Sequence, residues 1–451
     1  MKYCIIIHYF WKEVMKCIQC IKSINSLIRR VVGHRHTFHL CCCARFNFQA
    51  QHQKLKSKAE TIYLVEYTMS TSTKIGFANI GNTCFLNVVL QALRLSPPMG
   101  EIFLGPKALQ LRPDSRKQEL VAAFQVLLQD LWRVTPPPEA RPTMVPRGFF
   151  QSLMNVLKDT DDGWYRHGQQ ADAAEALQYI LDSLHDGMYR RVRMTVAGEA
   201  NTREETSQSK ALTSWTTFFE KEYSPIVNHF NGQTQICIRC DTCKSVSERY
   251  EPWLMLKAPI PNAETVGGPV PTMEACLEAA FVSETLDDYQ CDTCKSKQRA
   301  TITNRISRLP PVVILSVKRF TNTGHKVRGR IPWNLDSLDF SPQMAFARDP
   351  FTNIHGSPIY ETYAVIEHHG STHGGHYIMF AKQDNVWYEY DDNAISTSTP
   401  ERVVSPDSYI LMLVPKAEAS SMTEDFRSHI LSFRAKEEAK KRDEGVPGAE
   451  A

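Results

Sequence analysis

Two short turns, Cys240-Asp241-Thr242-Cys243 and Cys291-Asp292-Thr293-Cys294, constrain this chain more than any other feature. Four thiolates from two Cys-x-x-Cys knuckles make a closed tetrahedral zinc site. Such a site leaves no open position for chemistry, so it is read as structural, with one strand-rich segment between the knuckles. Cys237, three residues before Cys240, is an alternative ligand. It ranks second because Cys243 is followed by Lys244-Ser245, just as Cys294 is followed by Lys295-Ser296. Cys276 has no partner at ligand spacing. Two unligated turns or a redox pair are the competing readings.

The rest of the chain is long enough for two or three domains: 451 residues, 42% hydrophobic and 22% charged. No apolar run reaches the ~20 residues of a spanning helix. Of the 52 Lys/Arg, 11 fall in residues 1–60 beside only Glu13 and Glu60, so this leader is basic. The remaining 41 bases and 47 acids make the main body slightly acidic, which gives no electrostatic footprint for nucleic acid. A zinc-ribbon nucleic-acid binder is set aside on that ground. The 13 cysteines, an odd number, come without a convincing secretory signal and point to a reducing, intracellular setting, cytoplasmic or nuclear.

Residues 1–73 are read as a Cys/His-rich leader, disordered or absent from the working protein because translation begins at Met69. A leader metal site (His34, His36 and His39 lie here) or a targeting role is the alternative. Helices are predicted for residues 84–95, stopped by Ser96-Pro97-Pro98, and for 117–133, 147–158 and about 170–184. Residues 199–212 read as a polar loop. From about Tyr223 the period shifts toward strands, and Val312-Val313-Ile314-Leu315-Ser316-Val317 reads as a buried central strand. After Pro415 the pattern is helical and highly charged, a solvated appendage.

Cys84 opens an apolar helix behind the polar turn Asn79-Ile80-Gly81-Asn82-Thr83. A helix N-terminus favours a thiolate and supplies N–H groups for an oxyanion, with the Asn79 amide close enough to help. A buried structural cysteine is the competing reading. Downstream, Gly374-Gly375-His376-Tyr377-Ile378-Met379-Phe380-Ala381 and Val386-Trp387-Tyr388-Glu389-Tyr390-Asp391 read as a hairpin. With Gln383-Asp384 or Lys382 to Asn385 as the turn, Ala381 faces Val386 and His376 faces Asp391, Cβ atoms ~5 Å apart. A carboxylate beside an imidazole fixes its tautomer, the arrangement a thiol nucleophile needs for acyl transfer. His368, His369 and His373 are rivals without an opposed aspartate, and Asp392 points to the other face of the strand.

These residues resemble a known family. Gly76-Phe77-Ala78-Asn79-Ile80-Gly81-Asn82-Thr83-Cys84-Phe85-Leu86-Asn87 is similar to the cysteine box of ubiquitin-specific proteases, and Gly375-His376-Tyr377 with Trp387 through Asp392 to their histidine box. Asp172-Ala173-Ala174-Glu175-Ala176-Leu177 and Leu309-Pro310-Pro311 through Phe320 resemble the intervening helix and a palm strand. Phe85 replaces the family's tyrosine, and Ala171 stands where a glutamine commonly precedes the Asp172 position.

The resemblance implies an α+β fold: a papain-like helical thumb (74–222), fingers with a zinc ribbon (223–304), a β-rich palm (305–415) and a charged tail (416–451). It implies a cysteine-type deubiquitinase that hydrolyses the bond after ubiquitin's C-terminal glycine, with Cys84 as nucleophile, His376 as base, Asp391 as orienter and Asn79 as oxyanion donor. Ubiquitin or polyubiquitinated protein is the implied partner, and an activating protein on the fingers is left open. The alternative is a catalytically silent ubiquitin-binding module of the same fold.

Overall fold

A computed structural model describes residues 4–7, 74–133, 142–158, 165–261, 271–321, 324–346, 358–372, 374–416 and 419–443. The readings of the leader rest almost wholly on residues outside this set, as do His373 and the Pro136-Pro137-Pro138 loop.

The first half is mostly helical. A short strand β1 (Gly76–Phe77) leads into α1 (Cys84–Arg94), every residue of which is buried. A helix buried all round, here with Asn87, Gln91 and Arg94 among its buried residues, belongs at the centre of a domain. Pro97 and Pro98 end α1 as predicted but also open α2 (Pro97–Leu104), because proline fits the first turn, where no N–H partner is needed. Then come α3 (Gln118–Arg133), β2 (Thr143–Met144, parallel to β1), α4 (Arg147–Lys158) and α5 (Ala173–Asp186). Each of α3, α4 and α5 buries one apolar stripe. Helix α5 starts three residues later than expected because Asp172 caps it, accepting from the N–H groups of Ala174 and Glu175.

Residues 199–212 are not a loop. Helix α6 (Arg203–Phe219) starts there behind a complete capping box, in which Thr202 and Glu205 bond each other's backbone N–H. The Thr202-x-x-Glu205 spacing was the available signal. It was masked because the helix buries polar residues, Ser207 and Gln208, beside Ala211, Leu212 and Trp215.

After α7 (Pro225–Phe230) the chain turns to strands. β3 (Gly232–Cys240), β4 (Val246–Trp253), β6 (Glu284–Cys291) and β7 (Ser296–Arg308) form an antiparallel sheet in the order β4-β3-β7-β6. Between them lie β5 (Leu256–Pro259) and α8 (Met273–Ala280). The two knuckles close the β3–β4 and β6–β7 hairpins.

The larger sheet takes in β8 (Val313–Lys318), β9 (Ile359–Ser371), β10 (Gly374–Gln383), β11 (Val386–Asp391), β12 (Ala394–Ser398) and β13 (Ser408–Pro415). Its order is β12-β11-β10-β9-β13-β8-β5, antiparallel except for β8 beside β5. Both faces are covered. Val312 and Ile314 pack toward the helices, while Val313, Leu315 and Val317 join a second core with Trp333 and Trp387. Two-sided burial explains the unbroken apolar run of β8.

Finally, α9 (Ala419–Asp443) is helical as expected but is not a solvated appendage: Ile430, Phe433 and Arg434 are buried. Among the described residues, no helix is long and apolar enough to cross a membrane.

Candidate active site

The polar turn before α1 is built around one side chain. Asn79 Oδ1 accepts from the N–H of Gly81 and of Thr83, both at 3.1 Å. Gly81 at φ +117° and Asn82 at +54° make the left-handed bend this requires, and residues other than glycine and asparagine are strained there. With Asn79 Oδ1 spent on the loop, its amide nitrogen projects outward and donates to Asp392 Oδ2 at 2.9 Å.

Cys84 is the first residue of α1 and is 3% exposed. Burial pushes its thiol above the ordinary value. The main-chain N–H of Tyr377 on β10 pulls it back, the Asp392 charge pushes it up again, and N–H groups at the helix start lower it. The expectation of a thiol lowered by its helix terminus is therefore corrected: desolvation outweighs the terminus.

His376 precedes Tyr377, so the residue that bears the imidazole and the N–H that reaches the sulfur are neighbours on one strand. Its Nε2 lies 2.6 Å from Asp391 Oδ1. The register that creates this pair differs from the expected one. Gln383 faces Val386 and Met379 faces Tyr390, so the two-residue turn is Asp384-Asn385, both at positive φ. Asp391 therefore stands two residues out of register with His376, not opposite it. Because side chains alternate with period two, a slip of two leaves both on one face and the pair survives diagonally. With Nε2 on the carboxylate, Nδ1 is the ring nitrogen left for a thiol.

The two rival histidines among the described residues, His368 and His369, are engaged elsewhere. His369, directly opposite His376 across β9–β10, bonds Glu367 Oε2 at 3.0 Å. His368 is buried between the rings of Tyr377 and Phe320, with its pKa lowered to about 4 chiefly by burial.

Four residues beyond those chosen from the sequence belong to the site: Asp392, considered but passed over in the expected hairpin register, and Asn87, Gln170 and Asp172, which were given no role. Asp392, at φ +49° in the β11–β12 turn, is not turned away from His376 as strand alternation suggested: its carboxylate joins the His376–Asp391 pair and also meets helix α1. Its Oδ1 accepts from the buried Asn87 amide at 2.7 Å, and its carbonyl accepts from Phe77 N–H at 2.9 Å. The ligand atoms of His376, Asp391 and Asp392 lie within 4.8 Å of one another, so the Asn79 amide reaches the same cluster. Gln170 bonds both the N–H and the C=O of Gly375, each at 2.9 Å, and pins the glycine turn before His376. Asp172 also accepts from the hydroxyls of Tyr409 (2.9 Å) and Tyr377 (3.4 Å), which ties α5 to the sheet. The Asp391-Asp392 doublet was the signal for Asp392, and Asn87 and Asp172 lay inside the segments that resemble the family without a role assigned to them.

In the four-stranded sheet the four knuckle thiols converge within 4.8 Å. Cys240 to Cys294 is 3.9 Å and Cys243 to Cys291 is 3.5 Å. A tetrahedron with metal–sulfur bonds of about 2.3 Å has edges of about 3.8 Å, so the donor set fits a thiolate-bound metal ion. Lys244 and Lys295, at φ +62° and +55°, make the knuckle turns. Cys237 is no part of this cluster. It lies three residues from Cys240 on the opposite face of β3, across from Glu248.

Comparison with known proteins agrees with this geometry. A family profile described as ubiquitin carboxyl-terminal hydrolase matches residues 75–413. Human ubiquitin carboxyl-terminal hydrolase 21 is 30% identical over 359 residues, covering 75% of this chain and 61% of that protein. The chain thus spans about three-fifths of the length of that relative. Human ubiquitin carboxyl-terminal hydrolase 3 is 28% identical over 378 residues, covering 77% of this chain and 69% of its own. In three dimensions the fold is similar to the SAGA DUB module Ubp8/Sgf11/Sus1/Sgf73 bound to monoubiquitin, with a TM-score of 0.56 at 22% identity over 82% of this chain and 76% of that one. The fold is accordingly a mixed one of helical thumb, β-rich palm and finger sheet, and the chain belongs to the ubiquitin carboxyl-terminal hydrolase family.

Proposed function

We propose that this chain is a cysteine-type deubiquitinase, hydrolysing the isopeptide or peptide bond after the C-terminal glycine of ubiquitin. The observation that carries the reading is the meeting of α1 with β10. One strand supplies both the N–H at the Cys84 sulfur and the imidazole held by Asp391.

In this reading Cys84 is the nucleophile and starts as a neutral thiol, because burial keeps the proton on sulfur. His376 takes that proton on Nδ1 as sulfur attacks the glycine carbonyl, and Asp391 stabilises the imidazolium. The oxyanion is received by the helix-terminal N–H groups and by Asn79. An amide nitrogen has two hydrogens; Asp392 holds one and thereby aims the other. Collapse expels the amine, which leaves with the proton from His376. Water then hydrolyses the thioester, with His376 again as base.

Cys240, Cys243, Cys291 and Cys294 hold zinc, which ties the two finger hairpins together and takes no part in bond cleavage. Residues 74–222 serve as thumb, 223–304 as fingers and 305–415 as palm. The setting is the cytoplasm or nucleus, where free thiols persist. The structural relative sits in a module with Sgf11, Sus1 and Sgf73, and that supports an activating protein as a further partner class.

Ubiquitin carrying a C-terminal electrophile tests the reading. It should label the chain once, at Cys84, and Cys84→Ala should abolish labelling with zinc content unchanged. A folded chain that binds ubiquitin and is never labelled would be the silent module instead.

A further inference from the structure

The family match ends at residue 413, yet the chain continues into α9. This charged helix lies against α2 and α3. Phe426 fills the space where Gly100 has no side chain: a Cβ at Gly100 would stand 2.3 Å from its ring. That ring also meets Trp132 edge-on, with centroids 5.3 Å apart at 89°. Ile430 and Phe433 are buried, Arg434 Nε donates to the Trp132 carbonyl at 2.8 Å, and Glu437 pairs with Arg133 at 2.7 Å.

From this seat two connections run to the catalytic elements. The Arg94 guanidinium lies 5.1 Å over the Trp132 ring. Arg94 is the last residue of α1, whose first is Cys84, and it hydrogen-bonds Tyr390, the residue before Asp391. On the other side Arg427 pairs with Asp384 at 3.0 Å. Asp384 is in the turn of the β10–β11 hairpin, whose strands carry His376 and Asp391. One helix therefore grips the far ends of both the thiol-bearing helix and the imidazole-bearing hairpin.

We propose that α9 is a clasp that aligns α1 with the β10–β11 hairpin, and that Phe426 and Arg427 are positioning residues for the reaction at Cys84. The proposal rests on the catalytic reading above. Leverage makes it effective. Helix α1 has 11 residues and is about 16 Å long, so a tilt of about 4° at its Arg94 end moves the Cys84 end by about 1 Å. A misplacement of that size is enough to lower a rate on the order of a hundredfold.

The full chain is assayed with ubiquitin carrying a fluorogenic C-terminal amide, and its competent sites are titrated with the ubiquitin electrophile. Phe426→Ala should lower kcat per titrated site about ten- to a hundredfold with KM within about twofold. Arg427→Glu, a surface change that leaves the core intact, should lower it about two- to fivefold. Arg427→Glu with Asp384→Arg should recover most of that loss. Hydrogen exchange should quicken at Phe85–Leu90 and at Tyr377–Phe380 in both single variants. Unchanged kcat per site, a loss seen only as fewer titratable sites, or a reversed pair as slow as Arg427→Glu would each overturn the clasp. If the unaltered chain is inert to the probe, the catalytic reading fails, and exchange at α1 and β10 still decides the clasp.

Discussion

Asp392→Asn separates two effects that the structure predicts to run in opposite directions. The carboxylate holds two amides at once, Asn79 at 2.9 Å on Oδ2 and Asn87 at 2.7 Å on Oδ1. Asparagine has the same size and tolerates φ of +49°, but one oxygen becomes an NH₂ that cannot accept. Asn87 is 1% exposed and its other acceptors are poor, at 3.4 and 3.5 Å, so the surviving oxygen turns to it. Asn79 then loses its anchor. A bond to a charged acceptor contributes about 1.5–3 kcal/mol and a neutral one about 1. Losing one bond and the charge assistance of the other costs about 2 kcal/mol in all. With a urea slope of about 2 kcal/mol per molar, the midpoint drops by about 1 M. At the same time the variant removes a negative charge that raises the Cys84 thiol, so that pKa falls. The thiolate fraction below the pKa increases, and the pH profile of iodoacetamide alkylation at Cys84 moves to lower pH. Turnover of a ubiquitin amide should fall by about 10- to 100-fold nonetheless, because Asn79, the proposed oxyanion donor, is no longer aimed. An alkylation profile that stays put or moves up, or turnover that is maintained, would refute the placement of Asp392 between thiol and amide.

Two further outcomes are expected. Chelation should release about one zinc per chain and unfold the finger sheet, since four thiols converge where the two knuckles meet and lose their shared metal together; turnover lost at an unchanged unfolding midpoint would sink the structural assignment. His368, whose ring is faced by Lys326, Asp407 and His369, has its pKa lowered to about 4, first by burial. Its unfolded form takes a proton near pH 6.5 that the folded form refuses, so stability should fall between pH 6.5 and 4, by on the order of 3 kcal/mol at full protonation of the unfolded state. His368→Phe should flatten the urea midpoint across that window, and an equally steep dependence in the variant would remove His368 as the cause.

What the sequence disclosed follows from how local each signal is. The knuckles, the apolar helix behind Asn79-Ile80-Gly81-Asn82-Thr83 and the run Val312 to Val317 are each specified within a dozen residues. The first half of α6 was hidden because Ser207 and Gln208 are buried by tertiary partners: Ser207 Oγ donates to Glu248, on a strand some forty residues away. The docking of α9 was hidden for a related reason. Its charged surface carries only a few apolar residues, and the notch that receives Phe426 exists because of a glycine more than three hundred residues earlier. Gln170 and Asp172 work through Gly375, Tyr377 and Tyr409, partners that no local pattern announces.

The hairpin shows which errors a site tolerates. The choice of turn was wrong by one residue at each strand, Asp384-Asn385 in place of Gln383-Asp384 or the longer loop, and the register moved by two. Parity protected the conclusion. An offset of one would have turned Asp391 off the face that carries His376. The adjacent aspartates hold different partners: the pleat sets the first on the imidazole, and the turn after it sets the second on the amides of Asn79 and Asn87. The doublet serves both halves of the cleft because it lies where β11 ends, its first member still in the pleat and its second already in the turn that meets α1.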